Sequence, residues 1–472
     1  MHTLKKIILL TFVLAAHLSW AQKIDEVYNQ KIKEYTTDTR FLPASVLNLI
    51  DDPKVPSPLK HFKEIIGTPG TMHHTSEIYA YYKKLAETSP YIKVEQVGVS
   101  EEGRPIQLVI VGNEETMKRL DHYKKQLALL ADPRKVGPQD VAAIINDSKP
   151  VYYFNAGLHS PEMGSPEMTM ELVYRLITDP SPEIKKVLDN VIVLLNPASE
   201  PDGRDKQVDW YYRYTKARKE FDESDFPFSP PYWGKYVFHD NNRDGIQNSQ
   251  QLTKAIYKIY YDWHPTIMHD LHESVPLIYM STGTGPYNET IDPITVGEWQ
   301  VFANHDVTAL ASQGLPGAFT WAFYDGWYPG YVFWIANNHN AIGRFYETFG
   351  NAGGNTYIRD LSEESYSGDP VTNREWYRPD PATQKVNWSS RNNVNYMEAG
   401  VLASLSYTAD NRKLLLQNFY QKGVNSIRKG KESKPKAFVI GKAQHDPFMA
   451  AYLVNQLRVQ ELKSIKAGRE IT

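Results

Sequence analysis

The sequence predicts an α/β protein with a mixed, mostly parallel central sheet flanked by helices. Short apolar runs rich in β-branched and aromatic residues alternate with longer segments in which apolar residues recur at helical spacing. Such alternation is typical of strands that are connected through helices, which is how a largely parallel sheet is built. The 472 residues are 41% hydrophobic and 23% charged, so the chain can bury a core of this kind without covalent cross-links.

The first predicted elements are a helix and a β-hairpin. Four apolar residues recur at helical spacing within Ser76–Glu87, which predicts an amphipathic helix. Two β-rich runs, Ile92–Val99 and Ile106–Val111, follow this helix. The segment Glu101–Pro105 between them contains Gly and Pro and is expected to turn the chain back on itself.

The middle of the chain carries the alternation of strands and helices. Strands are predicted at Val151–Asn155, Val191–Leu195 and Thr266–Leu271, where most residues are apolar. Helices are predicted at Met168–Ile177, between the first two strands, and at Leu252–Trp263, before the third. Sites in α/β proteins form beyond the carboxyl ends of parallel strands, so residues that follow these strands are candidates for function.

The first 21 residues predict an export signal. Lys5 and Lys6 precede the apolar run Ile7–Ala16, which is too short to cross a bilayer, and small residues follow as far as Ala21. We therefore expect residues 1–21 to be a signal peptide and the mature protein to be secreted or periplasmic. A buried N-terminal helix is the alternative interpretation.

The other end of the chain is expected to carry a separate piece of structure. Residues 22–428 form the predicted main domain, and the charged, Pro-containing segment Arg428–Lys436 forms a linker. A strand at Ala437–Gly441 and a helix at Pro447–Leu462 then make residues 437–472 the start of a further βα domain. Docking of this segment on the main domain is the alternative.

Composition excludes several classes of function. Cysteine is absent, which excludes disulfides, thiolate catalysis and thiolate metal ligands. The net charge of −3 gives no indication of a nucleic-acid partner or an anionic membrane partner. After the predicted signal, no stretch is long and apolar enough to predict a membrane span.

The spacing His-x-x-Glu can place two zinc ligands side by side, and it occurs at His61, His74 and His159. The first two instances are expected to be ordinary surface or capping groups. His159 differs because it follows a predicted strand and a glycine and precedes a predicted helix. His159 and Glu162 are therefore the candidate ligands at the edge of the sheet.

A third ligand is expected from the end of another strand. His272 directly follows the predicted strand Thr266–Leu271 and is the favoured candidate. His264 precedes a proline at a helix–strand junction, where a structural role is expected. His269 lies inside the strand and is expected to pack in the core. The HExxH motif of other zinc peptidases is absent.

Six separated blocks together resemble the zinc carboxypeptidase family over most of residues 60–425. In chain order the blocks are Gly98–Pro105, GLHSPEMGSPE at 157–167, Asn196–Gly203, His239–Gly245, DLHES at 270–274 and Gly343–Asn351. Their joint order makes the resemblance specific. Three departures from the family pattern follow. One is the insertion in NPASEPDG together with the spelling Asp240-Asn-Asn, the second is the acidic Glu273 directly after His272, and the third is the Trp- and Tyr-rich loop before Glu347.

The resemblance implies one zinc ion per chain, held by His159, Glu162 and His272. Asp240 matches a carboxylate that orients His159. Glu347 matches the general base that takes a proton from a zinc-activated water.

The resemblance also implies residues that contact the substrate. Arg213 matches an arginine that polarises the scissile carbonyl. Asn242 and Arg243 match a pair that holds the terminal carboxylate of the substrate. The family tyrosine corresponds to Tyr324, Tyr328 or Tyr331; the choice stays open at this point, and Tyr328 is taken as the candidate.

The function implied by the resemblance is a secreted zinc metallocarboxypeptidase that acts on the C-termini of peptides or proteins. One alternative is a zinc amide hydrolase of the same fold that acts on peptidoglycan peptides or acyl groups. The other is a non-catalytic binding protein with a decayed site, which should bind zinc weakly or not at all.

Overall fold

The computed structural model describes residues 23–221, 227–232, 234, 238–466 and 468. The signal peptide expected at residues 1–21 lies outside these described residues and stays a prediction.

The described chain is built from helices and short strands. The helices are α1 Glu26–Tyr35, α2 Pro58–Phe62, α3 Thr75–Thr88, α4 Glu114–Lys118, α5 Leu120–Ala131, α6 Val141–Asp147, α7 Gly164–Thr178, α8 Pro182–Asn190, α9 Pro201–Trp210, α10 Gln251–Trp263, α11 Pro293–Ser312, α12 Trp334–Asn338, α13 Ser390–Asp410, α14 Arg412–Glu432 and α15 Pro447–Val459. Shorter helical turns lie at Thr39–Phe41, Ala44–Val46, Pro133–Lys135 and Asn241–Arg243, and a π-helical turn lies at Tyr211–Thr215.

The strands are β1 Ile92–Val99, β2 Pro105–Val111, β3 Val151–Ala156, β4 Ile192–Asn196, β5 Ile267–Glu273, β6 Ile278–Met280, β7 Ala318–Phe319, β8 Ile342–Thr348, β9 Tyr357–Asp360, β10 Ser365–Tyr366, β11 Asp369–Pro370 and β12 Lys385–Trp388. Within the described chain, the central sheet has the order β1-β2-β4-β3-β5-β8-β6-β7. Its middle strands β4, β3, β5 and β8 are parallel, whereas β1–β2, β2–β4 and β6–β8 pair antiparallel. This arrangement confirms the predicted mixed, mostly parallel sheet.

The elements predicted for the main domain form, with small shifts of their ends. The hairpin of β1 and β2 and the helix α3 lie where the sequence placed them. Helix α7 begins at Gly164, four residues before the predicted start, and β5 continues to Glu273 and so includes His272.

The middle of the sheet lies inside the core. Every residue of β3 and β4 is buried, which requires that both faces of these strands be covered. Helix α13 packs against α7, α8 and α11, while α10 packs against β1 and α5. The carboxyl ends of β3, β5 and β8 therefore meet at one edge of a rigid sheet.

Two of the sequence blocks contact each other beside this edge. Ser100 Oγ donates to Asp202 Oδ1 at 2.6 Å, and Arg104 Nη1 donates to the same oxygen at 2.9 Å. Arg104 Nε also donates to Asp205 Oδ2 at 2.9 Å. The turn between β1 and β2 is thereby fixed to the first turn of α9.

The prediction for the C-terminal segment is wrong in part. Helix α14 continues to Glu432, so the expected linker Arg428–Lys436 is helical over its first five residues. Ala437–Gly441 forms no strand, because none of its described backbone groups pairs with a neighbouring strand. Helix α15 forms, and Gln460 Nε2 just beyond it donates to Gly245 O at 2.9 Å. That contact favours docking on the main domain.

No helix of the described chain combines the length and the apolar character that are required to cross a bilayer.

Candidate metal site and catalytic cleft

The first part of the site is a tight turn between β3 and α7. Gly157 has a φ of 65°, and a Cβ at this position would lie 2.7 Å from Pro166 Cγ, so the turn requires glycine. The turn presents His159 and Glu162 towards the same point, and His159 Nδ1 lies 2.8 Å from Glu162 Oε1.

The second part is His272, the penultimate residue of β5. Its Nδ1 lies 2.8 Å from Glu162 Oε2, and its ring centroid lies 4.9 Å from that of His159. Ligand-capable atoms of the three residues all lie within 4.8 Å of one another. The structure thus brings together the three zinc ligands that the sequence suggested.

The other ring nitrogen of each histidine faces a carboxylate. His159 Nε2 lies 3.2 Å from Asp240 Oδ1, where the sequence expected an orienting partner. His272 Nε2 lies 3.5 Å from Asp270 Oδ2, a partner that the sequence analysis missed. The spacing Asp-x-His in a strand was an available signal, because residues two apart project from the same face. Such partners fix the orientation of a metal-binding imidazole.

The charged groups at the centre of the site shift one another's pKa values. Burial alone would lower the pKa of His159, but Glu162 and Asp240 outweigh it and raise that pKa to about 9. Burial would likewise raise the pKa of Glu162, yet the two histidines hold it well below its usual value. A buried anion therefore lies between two imidazoles that attract protons, which is the electrostatic setting that a divalent cation would satisfy.

The donor set suits zinc. Two imidazole nitrogens and one carboxylate are the ligands of a well-known type of catalytic zinc site, which leaves a further coordination position for water or substrate. His272 is buried and His159 half-buried, so the group lies at the boundary between core and solvent.

Glu347 lies on the neighbouring strand β8, directly opposite His272 in the parallel register. Its Oε2 accepts a hydrogen bond from Ser274 Oγ at 2.8 Å. Burial raises the pKa of Glu347 to about 7, while His272 acts in the opposite direction. A carboxylate with such a pKa can both accept and return a proton near neutral pH.

A cleft of about 570 Å³ opens above these groups. The described residues that line it are His159, Asn242, Arg243, His272, Phe323, Tyr324, Asp325, Tyr331, Phe333, Phe345 and Glu347. Five of these eleven residues are Phe or Tyr, and the other six are polar or charged. A concave site that combines apolar walls with a few converging polar groups is typical of ligand-binding sites.

Comparison with known families agrees with this geometry. A family model described as zinc carboxypeptidase matches residues 78–330, which is more than half of the chain. The chain belongs to the zinc carboxypeptidase family. The matched residues include the three candidate ligands and end before Glu347.

Solved structures of metallocarboxypeptidases are similar at low sequence identity. The enzyme from Burkholderia cenocepacia is 14% identical with a TM-score of 0.45, covering 72% of this chain and 70% of its own. The Pseudomonas aeruginosa metallo-carboxypeptidase is 14% identical with a TM-score of 0.44 and the same coverage. Bovine thrombin-activatable fibrinolysis inhibitor is 12% identical with a TM-score of 0.42, covering 72% of this chain and 99% of its own. A search of curated proteins found no match.

Asn242 and Arg243, the pair that the family resemblance assigned to the substrate carboxylate, both line the cleft. The guanidinium of Arg243 lies 4.6 Å from the ring centroid of Tyr331, and its Nη1 donates to Asn242 O at 2.9 Å. Asn242 Oδ1 accepts from Val332 N at 3.0 Å. Arg243 is thus held by stacking yet remains partly exposed to the cleft.

The tyrosines of the aromatic loop separate into two groups. Tyr324 and Tyr331 line the cleft, whereas Tyr328 is not among its described lining residues. Tyr328 instead packs edge-on against Tyr331, with ring centroids 5.2 Å apart. The hydroxyl of Tyr324 is buried and has no hydrogen-bond partner within the described chain. The positions of Tyr324 and Tyr331 therefore suit the family tyrosine better than that of Tyr328.

Arg213 lies apart from the cleft. It is exposed on the π-helical turn Tyr211–Thr215, and its guanidinium lies 5.3 Å from the ring centroid of Tyr214. The described residues lining the cleft do not include it. Its position therefore gives no support to the predicted contact with a scissile carbonyl.

Three other histidines from the sequence analysis have contacts that indicate a structural role. The backbone N–H of His74 donates to Glu77 Oε2 at 2.8 Å at the start of α3, so this His-x-x-Glu pair caps a helix. His264 ends α10 with a φ of 45°. His269 is fully buried, with Nδ1 2.8 Å from the hydroxyl of Tyr152.

Proposed function

We propose that this chain is a zinc-dependent carboxypeptidase that hydrolyses the last peptide bond of a peptide or protein. The observation that carries the proposal is the sharing of one cleft by four groups. His159 and His272 offer metal ligands, Glu347 offers a base, and Arg243 offers a cation for a chain end.

Zinc, when bound, would lower the pKa of a water molecule towards 7 and polarise a carbonyl oxygen. Glu347 would accept a proton at its carboxylate and return one to the leaving amine. Its raised pKa and its hydrogen bond from Ser274 suit this double role, because an acid–base catalyst works best with a pKa near the working pH. Arg213 is not part of this scheme.

Arg243 would select the free C-terminus. Its planar guanidinium can donate two parallel hydrogen bonds to a carboxylate, which an internal peptide bond does not have. Tyr331 beneath it keeps the guanidinium in place, and Tyr324 lines the same cleft. We propose peptides and proteins outside the cytoplasm as substrates, on the basis of the predicted signal peptide.

The test compares one peptide as its free acid and as its C-terminal amide. Wild type should cleave the acid with a kcat/KM that is at least about 100-fold higher, because the amide leaves Arg243 without its partner. Arg243→Ala should lose most of this preference by losing activity on the acid. A chelator should abolish both activities.

Three results would contradict the proposal in different ways. Equal kcat/KM for acid and amide would leave only a zinc amide hydrolase, such as one acting on peptidoglycan peptides or acyl groups. Activity that survives chelation would remove the metal from the mechanism. Failure of the wild type to bind zinc would point to a binding protein with a decayed site.

A further inference from the structure

Glu273 follows a metal ligand directly, and its side chain lies outside the catalytic cleft. It is the last residue of β5, and its Oε1 accepts hydrogen bonds from the backbone N–H of Gly164 and from Asn393 Nδ2, the latter at 2.7 Å. Gly164 starts α7, and Asn393 lies in the first turn of α13. One carboxylate thus joins a strand end to the beginnings of two helices.

The start of α7 explains why an acceptor is needed there. The first N–H groups of a helix have no partner within the helix, and a side chain usually supplies one. Met163 precedes the helix and makes no side-chain capping bond within the described chain. Glu273, the last residue of β5, supplies the missing acceptor from outside the helix.

Two glycines make room for this carboxylate. A Cβ on Gly164 would lie 2.3 Å from Glu273 Oε1, and a Cβ on Gly350 would lie 2.1 Å from Glu273 Oε2. Neither approach is possible for a residue with a side chain unless the carboxylate moves. Gly164 comes two residues after Glu162, and Gly350 comes three residues after Glu347. The turn that carries Glu162 and the loop that follows β8 therefore both pass close to Glu273.

We propose that Glu273 is a positioning residue that fixes the turn carrying Glu162, through the beginnings of α7 and α13, relative to His272. The inference rests on the proposed zinc site, because its effect is on the arrangement of the ligands. It also accounts for an acidic residue next to a metal ligand. The carboxylate serves here as a hydrogen-bond acceptor for the beginnings of α7 and α13, and its charge is secondary.

The first test measures zinc affinity by competition with a chelator in Glu273→Ala and Glu273→Gln. The alanine removes the acceptor and should weaken zinc binding about 10- to 100-fold, as loss of residues that orient ligands does elsewhere. Glutamine keeps an amide oxygen for Gly164 and Asn393 but removes the charge, so its zinc affinity should stay within about threefold of wild type by the same reasoning. Equal weakening in both variants would overturn the proposal in favour of a charge effect, and unchanged affinity in the alanine variant would overturn it outright.

The second test uses Gly350 and does not depend on how well Glu273→Ala folds. Gly350→Ala should weaken zinc binding in the wild-type background, where its Cβ displaces the carboxylate. The same change in Glu273→Ala should have a much smaller effect, because the carboxylate is gone and only the Cβ of residue 273 stays close, at 3.3 Å. Gly297→Ala is the matched control, since a Cβ there meets nothing within 4 Å.

The outcomes separate this inference from the proposed function. If the wild type does not bind zinc, both the proposed function and this inference are contradicted. Wild type that binds zinc, together with an additive effect of Gly350→Ala in the two backgrounds, overturns the positioning role alone. A non-additive effect, with Gly297→Ala neutral in both, supports it.

Discussion

Carboxylates around the candidate zinc site differ because their surroundings differ. Glu162 lies between two imidazoles, which lower its pKa and keep it ionised as a ligand. Glu347 is half-buried with a single hydroxyl donor, and desolvation raises its pKa to about 7. Asp240 and Asp270 face the outer nitrogens of the histidines. Environment assigns each carboxylate a different role, although the chemical group is the same.

Glu347→Gln tests the role of the base. The amide has the same shape and can still accept a hydrogen bond from Ser274, but it cannot take a proton from water. We expect zinc affinity and KM to remain close to wild type and kcat to fall by at least about 100-fold. Steady-state kinetics with a free-acid peptide, together with zinc content, measure both. A decrease in kcat of less than about tenfold, equal to about 1.4 kcal/mol, would exclude Glu347 as the base.

At the level of single residues, the sequence allowed prediction where a motif or strand end fixes a position. His159, Glu162 and His272 follow or end strands of the rigid sheet, so their convergence could be anticipated. The choice between Tyr324 and Tyr328 depends on the path of an irregular loop, which no short pattern encodes. The predicted role of Arg213 gains no support for a similar reason, since this residue is exposed on the π-helical turn.

Among the elements, the parallel strands were the most predictable. The buried strands β3 and β4 are continuous apolar runs because both of their faces are covered. Ala437–Gly441 has a similar composition but forms no strand. Pairing is a non-local property, because a strand needs a neighbour that offers backbone hydrogen bonds. Composition of the segment alone does not reveal whether that neighbour exists.

Helices α1, α7 and α13 are joined by a buried ion pair that can be tested. Arg391 donates from Nη1 and Nη2 to the two oxygens of Glu171 at 2.7 and 3.0 Å, and the Tyr28 hydroxyl donates to Glu171 Oε2 at 2.6 Å. Arg391→Ala leaves the buried Glu171 carboxylate without its main partner. We expect the free energy of unfolding to fall by about 3–5 kcal/mol, measured by denaturant titration.

A matched change at the same carboxylate is Tyr28→Phe. It removes one neutral donor and should lower the free energy of unfolding by only about 1–2 kcal/mol. If the two variants are equally destabilised, the ion pair is not what holds these helices together.

At the scale of the whole molecule, the candidate site lies at the edge of the sheet, next to a buried apolar core. The sheet and helices bury most of the chain's apolar residues, whereas the candidate ligands come from one turn and one strand end at the sheet edge. A domain of this size does not depend on a metal for its core, unlike small zinc domains that unfold without it. Loss of zinc should therefore disturb the site much more than the fold.

Removal of zinc tests this separation of site and fold. Chelator-treated protein should keep its far-UV circular dichroism at 25 °C, because the sheet and helices do not include the metal. Added zinc should stabilise the native state by about 4 kcal/mol at a concentration 1,000-fold above Kd. For a chain of this length that corresponds to a rise in Tm of about 4 °C. His272→Ala should retain the fold and lose the zinc-dependent rise, since the shift requires binding to this site. Loss of helical signal on chelation would show that the metal holds the fold itself, and a full zinc-dependent shift in His272→Ala would place the metal elsewhere.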